Sequence, residues 1–180
     1  LLKFTQMQET FSVNMLALVQ TPEKKFEPHV LNLRQAIDYY VEHQKEVIVR
    51  RTKFELDKAE ARAHILEGLK IAIDNLDEVI KIIRSSKNEA SAKEGLIQRF
   101  DFSDRQAQAI VDMRLGRLTA LEREKLEAEY QDLLAKIKYY KDVLANDFMV
   151  FNIIKEELTE IKGKYGDERK TKIIPDESDF

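Results

Sequence analysis

The sequence predicts a mainly α protein: a long antiparallel two-helix coiled coil with a small helical tip domain and an N-terminal β-hairpin. Three observations predict it. Charged residues make up 35% and apolar residues 43% of the 180, with only five Gly and three Pro, the profile of a helix-rich, coiled-coil-like chain. Apolar residues step by three and four through two long segments, one on each side of "RFDFSDRQAQAIVDMRLGRLT", Arg99 to Thr119. That middle stretch is short and dense in helix-start signals, so the second long helix returns beside the first.

Taken in order, TQMQET at 5–10 reads as a short helical turn. In FSVNMLALV, apolar Phe11, Val13, Met15, Ala17 and Val19 alternate, which predicts a half-buried strand, although Leu16 and Leu18 make its other face apolar too. The polar, Pro-punctuated QTPEKKFEP is a turn, and HVLNL a second strand. Two strands alone are marginal in water, so this hairpin is expected to join a sheet outside the chain.

From Leu33 to about Ile73 the pattern is helical and free of Pro. Leu66, Leu69, Ile73, Leu76, Ile80 and Ile83 form a heptad seam, which extends backwards as Leu33, Ile37, Tyr40, Gln44, Val47, Arg51 and Phe54. Asn75 with Glu78, Ser86 with Glu89, Ser103 with Gln106 and Thr119 with Glu122 all fit a capping box, in which two side chains satisfy the orphan amides of a helix start. They predict a break at Asp74–Asn75, short helices near 88–100 and 104–115 with Gly116 as C-cap, and a long helix from Leu121. That last seam runs through Leu126, Tyr130, Leu133, Ile137, Tyr140, Leu144, Phe148, Phe151, Ile154, Leu158 and Ile161 to Tyr165, about 45 residues or roughly 65–70 Å of unbroken helix. The expected organisation is therefore a hairpin region at 1–32, an outgoing helix at 33–73, a tip at 74–120, a returning helix at 121–165 and a charged tail at 166–180.

Composition limits function. Net charge is −3 and pI about 5.8, so no global positive field draws in nucleic acid and any such contact is local. The absence of Cys removes disulfides and Cys-based zinc sites. No apolar run is long enough to span a bilayer, and no signal-peptide pattern opens the chain, so no membrane partner is expected. The start at Leu1 without Met and the acidic end PDESDF lead us to expect a piece of a longer protein. No Gly-rich phosphate loop, paired-His spacing or nucleophile motif is present, so no catalytic, cofactor-binding or metal-binding residue is assigned. His29, His43 and His64 are far apart in sequence, and Tyr39–Tyr40 and Tyr139–Tyr140, with one of each pair on a seam, read as packing residues with a wet hydroxyl.

Three features remain. Arg50, Arg51 and Lys53 form a local basic cluster that could contact a phosphate backbone, but the interleaved acids Glu46, Glu55 and Asp57 at one-turn spacing favour a solvated, paired helix face on charge alone. Gly68 inside a helix costs about 1 kcal/mol relative to Ala, which points to a close approach by another backbone or to simple tolerance. In the tip, one stripe holds Ala107, Ile110, Val111, Arg114 and Leu115, and a second, flatter one holds Ala109, Met113 and Gly116. One stripe packs on the arm. The other either closes inside the tip or meets a second copy, and Gln106, Ala109, Ile110, Met113, Gly116 and Arg117 are the candidate interface for that contact.

FSVNMLALV, RRTKFELDKAEARAHILEGLKIAIDNLDEVIKIIRSS, RQAQAIVDMRLGRLTALEREKLEAEY and KEELTEIKGKYGDERKT together resemble the bacterial DNA gyrase A-subunit family, with the A-type subunit of topoisomerase IV a relative of the same architecture. The resemblance covers nearly the whole chain in collinear order, and EARAHILEGLKIAIDNLDEVI and YGDERKT look closer to gyrase. It implies that the hairpin belongs to a tower beside a DNA-cleaving head, and that the long helices form a coiled-coil arm whose tip is a non-catalytic exit gate pairing with its two-fold mate. It further implies an ATP-dependent type II topoisomerase, cytoplasmic and nucleoid-associated in a bacterium. That enzyme cuts one duplex, passes a second through the break, and introduces negative supercoils. Mg and ATP act through other domains and the B subunit of an A2B2 enzyme. The catalytic Tyr and the Arg before it lie upstream, and no position here matches them. The chain departs from the family in its longer hairpin loop, QTPEKKFEPHV, and in lacking the DNA-wrapping domain. Supercoiling by gyrase and decatenation by topoisomerase IV both stay open on these residues, as does a nucleic-acid-binding coiled-coil arm of another protein.

Overall fold

Asn32 and Gln35 start the first helix. The Gln35 N–H donates to Asn32 Oδ1 and the Asn32 N–H to Gln35 Oε1, both at 2.9 Å, a reciprocal cap that the heptad pattern does not single out. The computed structural model describes residues 4–7, 9–21, 23, 25–113 and 120–174, with the backbone alone at 120–122. Among these, two strands, β1 (Leu16–Gln20) and β2 (Phe26–Val30), precede six helices: α1 (Leu33–Asp74), α2 (Leu76–Ser85), α3 (Glu89–Phe100), α4 (Asp104–Val111), α5 (Ala120–Ala145) and α6 (Asp147–Tyr165). The mainly α class with an N-terminal hairpin is as predicted. No helix among the described residues is long and apolar enough to cross a membrane.

The chain divides into two units, Leu1–Ile48 with Ile153–Phe180, and Val49–Asn152. In the first, β1 and β2 pair antiparallel with Leu16 opposite Val30 and Gln20 opposite Phe26. The Thr21 N–H closes the loop on the Lys25 carbonyl at 2.8 Å. The strand begins at Leu16 and not at Phe11, because the strand it pairs with turns into α1 at Leu33 and leaves Phe11 and Val13 nothing to pair with. Phe4 to Met7 form turns and bends without a helix.

In the second unit, Leu66, Leu69 and Ala72 of α1, Val79 of α2, Leu96 of α3, Phe102, and Ala107 and Ile110 of α4 form one buried core, with Leu126, Tyr130 and Leu133 of α5 packed against it. Removing side chains of this kind from water is the main force holding the tip on the two long helices. The α1 seam runs one register off its backward extension. Ile48, Thr52, Ala59, Ala63 and Leu66 are buried, whereas Leu33, Ile37, Tyr40 and Phe54 are exposed. The true stripe keeps three-and-four stepping but uses small residues, which weigh little in a hydrophobic pattern.

Three helix starts differ from expectation. At Asn75 the helix breaks as predicted, yet no side-chain cap forms; the Asn75 amide turns back and donates to the Ile71 carbonyl at 2.9 Å, while Glu78 pairs with Arg99. α3 is capped by Asn88 and Ser91 in place of Ser86 and Glu89, and Ser86 instead donates to the Ile82 carbonyl at 2.8 Å. The returning helix is two helices. The Asn146 side chain accepts the Phe148 N–H at 3.1 Å, so α6 begins anew at Asp147 and the buried positions move to Val143, Val150 and Ile154. Thr119, of the remaining predicted box, lies outside the described residues.

Candidate functional site

The tip helix α4 is built from its cap inward. Ser103 accepts the Gln106 N–H at 3.2 Å and the Gln106 side chain accepts the Ser103 N–H at 3.0 Å, the predicted capping box. The Gln106 amide also donates to the His64 carbonyl of α1 at 2.7 Å, and His64 Nε2 lies 2.7 Å from Ser103 Oγ. Gly68 lets this happen. A Cβ there would lie 2.7 Å from Gln106 Cγ and 2.8 Å from its Cβ, closer than such atoms approach. The close approach expected at Gly68 is real, but the neighbour is a side chain and not a backbone. α4 is held to α3 as well, because Lys93 Nζ reaches Asp104 at 2.7 Å and Gln108 at 3.3 Å. Asp101, in the left-handed conformation at φ 56°, ends α3 and turns the chain so that Phe102 enters the core.

The six candidate interface residues separate accordingly. Gln106 and Ile110 are 6% and 2% exposed and are used within their own chain, the first as cap and α1 contact, the second as core. Ala109 and Met113 are half-buried at the margin of that core, and α4 ends at Val111. Gly116 and Arg117 lie outside the described residues. Of the basic cluster, Arg50, Arg51 and Lys53 are all exposed on α1, and Arg51 is not a free cation. Among the described residues no group of His, Cys, Asp and Glu is arranged to hold a metal.

Sequence reasoning missed how the two long helices are matched in charge. Arg62 holds Glu129 through two contacts of 2.7 and 3.1 Å. Lys70 meets Glu127 at 2.8 Å, Arg123 meets Asp74 at 2.5 Å, and Lys141 meets Glu60 at 2.7 Å. Reading down α1 and up α5, the signs are −, +, +, − against +, −, −, +, a pattern present in the sequence but invisible until the pairing is known. The Lys70 ammonium, followed by the Gln131 amide, holds the Glu127 carboxyl below its ordinary range. Exposed pairs add little stability, but a slip by one turn sets like charges against each other, so they fix register.

A family model describing the A subunits of DNA gyrase and topoisomerase IV matches residues 1–159. The chain belongs to that family. Among curated relatives, the DNA gyrase A protein of Clostridium acetobutylicum is 54% identical over 180 residues, all of this chain and 21% of that protein. That of Streptococcus pyogenes is 56% identical over 174 residues, 97% of this chain and 20% of that protein. That of Halalkalibacterium halodurans is 55% identical over 180 residues, again all of this chain and 21% of that protein. The chain thus spans about a fifth of the length of these gyrase A proteins. Within this member of the gyrase/topoisomerase IV A family, the tip packs through Ala107, Ile110 and Leu96 and carries Ala109 and Met113 at the margin of that packing.

Proposed function

We propose that this segment is the non-catalytic coiled-coil and exit-gate module of DNA gyrase A, dimerising through its tip. The observation that carries the reading is 54–56% identity to gyrase A proteins across 97–100% of the chain. In the intact A2B2 enzyme gyrase A works with gyrase B in the bacterial cytoplasm, at the nucleoid. The enzyme uses Mg and ATP through other domains and introduces negative supercoils by passing one duplex through another. The catalytic Tyr is supplied from outside this segment.

The proposed gate contact is made by Ala109 and Met113, continued by Gly116 and Arg117. Support comes from α4 and the two residues after it: Gln106, Ala107 and Ile110 are buried, whereas Ala109 and Met113 pack at the margin of the core and stay half-buried, which leaves their outer surface for a second copy. A gate that opens for every duplex released requires an apolar but small interface, nearer the lower end of specific contacts than an obligate core. The hairpin is proposed to complete a sheet elsewhere in the whole protein, since Leu16, Leu18, Phe26 and Val30 are 63–70% exposed. Arg50, Arg51 and Lys53 are proposed to contact duplex backbone, a contact weakened by salt. Decatenation by the A-type subunit of topoisomerase IV is the second reading, favoured by a family model that spans both enzymes; the gyrase relatives favour the first.

Sedimentation velocity of the 180-residue chain across concentrations tests the gate. A reversible dimer is expected, and Met113→Glu is expected to give monomers with unchanged helicity by circular dichroism. A Met113→Glu protein that still dimerises, or a chain monomeric at every concentration, overturns the proposed contact.

A further inference from the structure

Between α1 and α5, beside the tip, Leu66, Ile73, Leu126 and Tyr130 floor a groove of about 360 Å³, within the range of small-molecule sites, roughly 300–1,000 Å³. Five charged side chains rim it, and four cancel. Lys70 is taken by Glu127 at 2.8 Å and Arg123 by Asp74 at 2.5 Å. The fifth, Glu124, is exposed and has no hydrogen bond or ion pair among the described residues. Among the described residues, the groove therefore presents an apolar floor with one uncompensated carboxylate. An anionic ligand would meet repulsion from Glu124 and find both rim cations already engaged. A ligand with one positive charge gains a partner and disturbs neither pair. The floor also tolerates positive charge, since Lys70 Nζ lies 5.6 Å from the centroid of the Tyr130 ring.

We propose that this groove is a binding site for an amphipathic aromatic amine, its flat body on Leu66, Ile73, Leu126 and Tyr130 and its ammonium against Glu124. Because the walls come from both long helices, an occupant links them where they meet the tip. The site depends on neither the gate nor the supercoiling reading.

The test uses the 180-residue chain with ¹³C-labelled Ile and Leu methyls, titrated with tryptamine and, in parallel, with indole-3-propionate. Tryptamine is expected to shift the Leu66, Ile73 and Leu126 methyls saturably and to bind roughly twofold to fivefold more tightly than the acid, the worth of one exposed ion pair. Glu124→Gln, which removes a carboxylate with no partner among the described residues, is expected to erase that preference while leaving helicity and Tm unchanged. Four results would each overturn the assignment: no saturable shift at these methyls, shifts confined to other methyls, an acid that binds as tightly as the amine, or a preference that survives Glu124→Gln.

Discussion

A methyl group placed at residue 68 probes how the tip is seated. In an ordinary helix interior, Gly→Ala stabilises by about 1 kcal/mol. Here the new Cβ would meet Gln106 Cγ and Cβ at 2.7 and 2.8 Å. Because Gln106 Cβ is fixed to the α4 backbone, the helix itself must move, at an overpacking cost of about 1–3 kcal/mol. Gly68→Ala is therefore expected to be net destabilising by about 1 kcal/mol, lowering Tm by about 2–4 °C. A raised Tm would mean that α4 is not seated on α1 at this point. The position was legible in the sequence, since a helix-interior glycine asks for a reason. Its partner was not, because Gln106 already had a complete local explanation as a capping residue. The same side chain, offered as an interface candidate, is spent on the cap and on the His64 carbonyl, which removes it from the outer surface.

At the scale of the element, the capping rule offers more candidates than there are helices, and packing selects among them. Ser86 with Glu89 has the textual form of a box, but α3 starts where Ala92 and Leu96 can both enter the core, and Asn88 with Ser91 then closes the end. Asn75 stands alone between α1 and α2, and its amide completes the helix behind it. Asn146 was legible in principle: Asn followed by Asp is a strong helix start, but a heptad pattern that continues on either side conceals it. Register between α1 and α5 was illegible for a different reason, since salt-bridge partners on two helices cannot be named before the helices are aligned. Arg62→Glu is expected to cost up to about 1 kcal/mol through repulsion from Glu129, and Arg62→Glu combined with Glu129→Arg to recover most of it. Thermal melts of the two single variants and the double variant measure this. A double variant no more stable than the singles would contradict the paired register.

For the whole molecule, periodicity and composition yield long helices with a small tip, whereas what the assembly does is legible only through its likeness to gyrase A proteins. The proposed gate contact rests on Ala109 and Met113, which the structure places half-buried at the margin of the tip core. A closed two-fold contact brings the residues beside its axis near their own copies, the place proposed for Met113, and the chain contains no Cys, so one introduced thiol reports that contact without background. Mild oxidation of Met113→Cys is predicted to give a covalent dimer that requires the native fold, while Gln131→Cys, exposed on α5, is predicted to stay monomeric. Met113→Cys remaining monomeric at concentrations where the parent chain sediments as a dimer, or Gln131→Cys cross-linking equally well, would contradict a gate formed by this face.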